Sequence, residues 1–239
     1  MQIYHTSHCG STLLVKLLSE VISSYSEPSW CHKIINGENI DFFEEIKKYD
    51  ESLIKFPSGF CHFATHVDNK KVFLYRNLKN HLFKLLALDG DIHQYLNYYY
   101  DYFQFNIHPK LKGINFDDIG KKHVFLWANR IFWMMDSVNA IAVESNNFFN
   151  NKKDILDEIC EFFEIKKVKN FSYINYNVKS VGMNRNDIEI SNVISDDNKK
   201  VIIYPSYGVI EDSLCLNDDE IMELVNWAKN NIPIPKSFL

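Results

Sequence analysis

The chain has 239 residues, with 26 Lys and Arg against 31 Asp and Glu and a net charge of −5. That balance argues against a general nucleic-acid or membrane-surface binder and leaves room for a local basic pocket. At 46% hydrophobic and 15% aromatic residues, the length suits one domain with a substantial core. Five scattered cysteines (Cys9, Cys31, Cys61, Cys160, Cys215) form no CxxC pair, so neither a zinc site nor a disulfide framework is expected. No apolar run approaches the ~20 residues that span a bilayer. The start reads as strand and loop rather than as a signal peptide, which makes a reduced, cytoplasmic protein the default.

In chain order, Ile3-Tyr4 reads as a short strand running into the polar stretch His5-Thr6-Ser7-His8-Cys9-Gly10-Ser11-Thr12. Leu13, Leu14, Leu17, Leu18, Val21 and Ile22 follow at helical spacing over residues 12–22. Pro28 ends that region, because the residue before a proline is pushed out of helix. Residues 41–49 read as a short charged helix and residues 52–56 as a strand stopped by Pro57-Ser58-Gly59. Lys71-Val72-Phe73-Leu74-Tyr75 is a buried-type strand, and residues 78–88 read as helix. Residues 92–106 form an aromatic-heavy helical pattern and residues 123–139 another helix. Ala140-Ile141-Ala142-Val143-Glu144 is a third buried-type strand, and residues 154–163 carry a helical pattern. Residues 187–212 are the least legible. Residues 187–190 and 201–204 read there as two strands separated by Asp196-Asp197-Asn198. Asn217-Asp218-Asp219-Glu220 places acids at the start of a last helix that runs to about Lys229. Strands alternating with helices give an α/β fold with a mostly parallel sheet, whose ligands bind beyond the carboxyl ends of the strands.

The first loop joins a strand to a helix. Such a loop directs backbone N–H groups and the positive end of the helix dipole at one spot, which suits phosphate or sulfate. It is not the triphosphate loop GxxxxGK[ST]: His5 stands at the first glycine position and Ser11 at the lysine position. Loss of that lysine argues against a phosphotransferase acting on ATP. No GxGxxG stretch is present for a dinucleotide.

Three blocks carry a more specific pattern: His8-Cys9-Gly10-Ser11-Thr12-Leu13-Leu14; then Lys71 to Tyr75 with Arg76-Asn77; then Ala142-Val143-Glu144-Ser145 with the helical stretch ending in Cys160-Glu161-Phe162-Phe163. In this order, over roughly residues 1–165, they resemble the sulfotransferase superfamily. The resemblance implies one three-layer α/β domain over residues 1–239, a parallel sheet flanked by helices of the P-loop-containing nucleotide-binding type. It implies the cofactor 3′-phosphoadenosine 5′-phosphosulfate and transfer of its sulfuryl group to a hydroxyl or amine of a small-molecule or carbohydrate acceptor. No metal is implied. By the same resemblance, His8, Cys9, Gly10, Ser11 and Thr12 hold the 5′ side, while Arg76 and Lys84 serve the 3′ side.

His8 stands where the family has Lys or Arg, and it stabilises leaving charge only when protonated. Lys84 stands where the family has Ser. The basic glycine loop expected near the C-terminus is represented by residues 179–185. An acceptor hydroxyl needs a general base. The resemblance points to Glu27 in Ser26-Glu27-Pro28, with His62 and His66 as the other candidates. Tyr95, Tyr98, Tyr99, Tyr100, Tyr102, Phe103 and Phe105 suit core packing, or alternatively an acceptor pocket. A nucleotide-binding protein of the same fold without turnover is the other class of function that these residues suit.

Overall fold

The computed structural model describes residues 1–6, 9–86, 106–169, 192–196, 199–203 and 217–239. Its frame is a five-stranded, all-parallel sheet with strand order β2-β3-β1-β4-β5. The strands are β1 (Gln2–His5), β2 (Ser24–Ser26), β3 (Leu53–Lys55), β4 (Lys71–Tyr75) and β5 (Ala140–Glu144). β1 is central, in register with β3 (Ile3↔Lys55) and with β4 (Tyr4↔Phe73).

Alternation along these strands feeds two apolar clusters, one on each face of the sheet. Ile3, Leu53, Val72, Leu74 and Val143 pack with α1 (Ser11–Leu18) and with residues that follow β5. The latter lie on α6 (Ser145–Asn150) and α7 (Lys152–Phe163), the two helices beyond the last strand. Tyr4, Ile54, Phe56 and Phe73 pack on the other side. Their partners come from α2 (Ser29–Ile35), α3 (Phe42–Lys47), α4 (Leu78–Leu86), α5 (Ile119–Met135) and α8 (Asp218–Asn231). The expected α/β sheet with helices on both faces is therefore present. No helix among the described residues is long and apolar enough to cross a membrane.

Several boundaries differ from the sequence reading. α1 stops at Leu18, where the Ser19 hydroxyl donates to the Lys16 carbonyl. Ser24–Ser26, read as a break, is an edge strand that borrows its pairing from β3. Pro28 occupies the N-cap position of α2, where a proline's fixed φ suits a helix start. Residues 58–66 form a 3-10 stretch, buried from Ser58 to His62 and exposed at His66. α5 begins at Ile119, because the Asp118 carboxylate caps it by accepting from the Lys121 N–H. It ends at Met135, and Asn139 with φ +51° turns the chain into β5.

The first strand of the C-terminal pair is β6 (Asn192–Asp196), antiparallel to β7 (Lys199–Ile203), so Asp196 ends a strand instead of starting the turn. Residues 187–190, the aromatic stretch 92–105 and the basic stretch 179–185 lie outside the described residues. α8 opens with a full capping box: Asn217 accepts from the backbone of Glu220, and Glu220 accepts from the backbone of Asn217.

One polar pair, a buried histidine and an exposed carboxylate, ties α5 to the segment before it. His108 Nε2 sits 2.8 Å from Asp136 Oδ2, and the His108 N–H donates to Asn129 Oδ1 at 2.7 Å. That hydrogen bond from His108 is the main reason the Asp136 carboxyl is held below its ordinary pKa. A depressed carboxylate stabilises the fold above the ordinary Asp range, and the contribution is lost as pH falls through the lowered value. Asp136→Asn is expected to cost about 1 kcal/mol at pH 7, discounted for the exposed side of the carboxylate. Urea denaturation checks this, and the difference from the parent chain should shrink toward zero as pH falls from about 4 to about 2.

Candidate functional site at the carboxyl edge of the sheet

In a doubly wound sheet the ligand crevice forms where neighbouring strands send their connections in opposite directions. Here the chain leaves β1 toward β2 and leaves β4 toward β5, on opposite sides. That switch point lies beyond the carboxyl ends of β1 and β4, beside Thr6, Cys9 and Arg76.

The three sequence blocks meet at this point. The Leu74 carbonyl accepts from the Thr6 N–H at 3.1 Å and from the Cys9 thiol at 3.2 Å. The Arg76 N–H donates to Thr6 Oγ1 at 3.2 Å. Ser145 Oγ, at the start of α6, donates to the Cys9 carbonyl at 2.7 Å. Arg76 Nη1 lies 3.5 Å from Asn146 Oδ1. The Trp127 indole N–H donates to the Arg76 carbonyl at 3.0 Å, which fixes the residue's main chain from the α5 side.

Gly10 caps α1 with φ +92°, and a Cβ there would lie 2.7 Å from the Phe149 ring. The position therefore requires glycine both for its backbone and for the close approach of the ring. The first turn of α1 carries no acid, so nothing there offsets the positive end of its dipole. Ser11 is buried and Thr12 half-buried at that turn.

Burial pushes the Cys9 thiol up to about 11; the Arg76 charge and the backbone N–H groups of Ser11 and Thr6 pull it only part of the way back. Cys9 is thus a neutral thiol that shapes the loop and is not a nucleophile. Burial also lowers the pKa of Arg76, against the raising effects of Cys9 and Glu144. The Glu144 carboxylate spends Oε2 on capping α6 through the Asn147 N–H.

Glu27 lies one residue beyond β2 on this same carboxyl edge. Its φ is +48°, uncommon for a residue with a side chain. The Glu27 N–H donates to the Lys55 carbonyl at 2.8 Å, and Lys55 Nζ donates to Glu27 Oε1. His32 Nε2 lies 3.8 Å from Glu27 Oε2. Lys55 was not singled out in the sequence. The signal available was a lysine inside the apolar run Leu53-Ile54-Lys55-Phe56, in a strand buried on both faces.

Of the other candidates, His62 is buried against Phe63, with Nδ1 3.2 Å from the Gly59 carbonyl, and burial drops its pKa to about 4. It is neutral at physiological pH. His66 is exposed at the end of the 3-10 stretch. Lys84 belongs to α4, and its side chain, like the whole of His8, lies outside the described set. Among the described residues no group of His, Cys, Asp and Glu is arranged to hold a metal ion.

Comparison with family models and with curated proteins finds no match for this chain. The resemblance to sulfotransferases rests on the three short blocks alone.

Two stability outcomes follow from this geometry. Gly10→Ala is expected to cost about 2 kcal/mol through its positive φ and the Phe149 contact. Adding Phe149→Ala should return only the steric part, as read by urea denaturation. Lys55 is 5% exposed and Glu27 20% exposed. Removing the carboxylate therefore strands a buried ammonium, whereas removing the ammonium leaves an acid that reaches water. Glu27→Ala is expected to cost about 2 kcal/mol, clearly more than Lys55→Met, in the same denaturation assay.

Proposed function

We propose that this chain binds 3′-phosphoadenosine 5′-phosphosulfate in a P-loop-like site and transfers its sulfuryl group to a hydroxyl or amine of a small-molecule or carbohydrate acceptor. The observation that carries the reading is the meeting of all three blocks at one crevice. Thr6 and Cys9, Leu74 and Arg76, and Ser145 are far apart in sequence and are joined there by hydrogen bonds.

The residues present fit the cofactor. Gly10 has a conformation that keeps backbone, and not a side chain, at the helix entrance. The acid-free first turn of α1 favours an anion there. Ser11 and Thr12 would hold the 5′-phosphate through hydroxyls and backbone N–H groups. His8 would add charge on that side when protonated. Arg76 would take the 3′-phosphate, where a guanidinium fork matches two oxygens, with Lys84 as its possible neighbour on α4.

When bound, the cofactor supplies an activated sulfuryl group. The protein's own part is positioning and charge stabilisation. Glu27 would accept the acceptor's proton, and Lys55 would keep that carboxylate ionised and in place. Four described cysteines are free and buried, which suits a reducing, cytoplasmic setting.

A binding protein of this fold without turnover is the second reading. It is favoured by the sequence, which has His8 where the family has Lys or Arg.

Calorimetric titration with 3′,5′-adenosine bisphosphate, beside 5′-AMP and ATP, tests the assignment. Micromolar binding that requires the 3′-phosphate is expected. Arg76→Ala should weaken it about 10- to 100-fold, the worth of one charge-assisted contact. Equal binding of ATP, or no binding, would remove the reading. Turnover that is lost in Glu27→Gln while binding persists would separate the transferase from the binding protein.

A further inference from the structure

β1 and β4 separate at Thr6. The ladder between them pairs His5 with Leu74, and the Thr6 N–H continues it by donating to the Leu74 carbonyl at 3.1 Å. In a regular parallel ladder the next rung runs from the Arg76 N–H to the Thr6 carbonyl. Here the Arg76 N–H donates to the Thr6 hydroxyl oxygen, at 3.2 Å. A side-chain oxygen stands in for a main-chain acceptor, so Arg76 stays tied to the end of β1 while the chain turns out of the sheet.

The other main-chain group of Arg76 is held from a different side. Its carbonyl accepts from the Trp127 indole N–H at 3.0 Å, and Trp127, on α5, is fully buried. One residue later the chain already serves α4. Asn77 Oδ1 accepts from the Asn80 N–H, and the Asn77 carbonyl accepts from the His81 N–H, both at 2.9 Å. Arg76 belongs to neither strand nor helix. Two side chains, 70 and 51 positions away, supply the partners that a regular element would have given it. Leaving either group bare in this buried place is costly, so the two bonds fix the peptide on both sides. The tip is held less firmly: Nη1 lies 3.5 Å from Asn146 Oδ1, at the outer limit of a hydrogen bond. The direction in which the side chain sets out is therefore set by its peptide, while its tip can exchange Asn146 for a better acceptor.

We propose that Thr6 and Trp127 are positioning residues that aim Arg76, so that it selects where a phosphate sits on a nucleotide's ribose. This inference rests on the reading that Arg76 takes the 3′-phosphate. A 2′-phosphate hangs from the neighbouring ribose carbon and presents its oxygens displaced and turned. A guanidinium fork with a fixed origin meets two oxygens of one isomer and not of the other. With an origin that shifts, it meets both. Neither Thr6 nor Trp127 touches the nucleotide in this scheme; each acts through Arg76.

The test is calorimetric titration of the whole chain with 3′,5′-adenosine bisphosphate and with 2′,5′-adenosine bisphosphate. The parent is expected to prefer the 3′,5′ isomer about 10-fold or more, the worth of one well-aligned charge-assisted contact. Thr6→Val removes the acceptor at nearly constant shape, and Trp127→Phe removes the indole donor. Each should narrow the preference to about threefold or less, by weakening the 3′,5′ isomer and leaving the other nearly unchanged. Thr6→Ser keeps the hydroxyl and should keep the preference. Circular dichroism checks folding, and either one of Thr6→Val and Trp127→Phe, once folded, decides the matter. Parent-like preference in that variant, equal weakening of both isomers, or a parent without preference would overturn the positioning role and leave the functional reading standing. A parent that binds neither isomer would overturn both.

Discussion

One carbonyl of the sheet accepts twice from the first loop. Leu74 O, one residue from the end of β4, accepts both the Thr6 N–H and the Cys9 thiol. The first bond continues the parallel ladder by one step past β1, and the second draws the loop back over the strand ends. With Cys9 pinned, its own carbonyl faces Ser145 and the following residue must take a positive φ, which is where Gly10 stands. The helix entrance, the Phe149 ring and the turn after β5 all take their places from that bend. A buried thiol serves here because it is small and apolar enough for the core and still carries a weak donor.

Two described cations on the carboxyl edge, Lys55 and Arg76, each have an acid close by. Lys55 is bound to Glu27, and Arg76 feels Glu144. Burying a charge alone costs several kcal/mol, so partners of this kind are a condition for keeping basic side chains at the floor of a crevice. The two partners differ in what they can do next. Glu144 also caps α6 and is held by that role. Glu27 sits at a strand terminus with a strained backbone and reaches the surface, so it can change its company more readily.

Much of the frame was legible because β1 and β4 carry apolar residues on both faces, and such runs announce a buried parallel strand without any alternation; β5 reads the same way but is an edge strand in which only Val143 is buried. The loop was legible from its small and hydroxylated residues between a strand and a helix. What escaped has physical reasons. Ser24-Tyr25-Ser26 has no apolar signature, and it is a strand only because β3 lies beside it. Pro57-Ser58-Gly59 reads as punctuation, yet these residues are buried, and the Ser58 carbonyl accepts from Arg130 Nε at 3.1 Å. Lys55 is a charge that sequence reading places in solvent by default. Its burial depends on a carboxylate 28 positions away, and no local pattern encodes that distance.

The bond from Ser145 to Cys9 spans 136 positions, and that from Arg76 to Thr6 spans 70. The residues that shape the loop therefore leave the ribosome long after the loop itself. β1 must wait for β3 and β4 before it has a neighbour on either side, and the loop must wait longer still for the turn after β5. Pairing over such separations is slow and follows the formation of local helices. The crevice is accordingly among the last parts of the molecule to be completed during synthesis. A nascent chain that has not yet exposed residue 145 has the sequence of the first loop without its form.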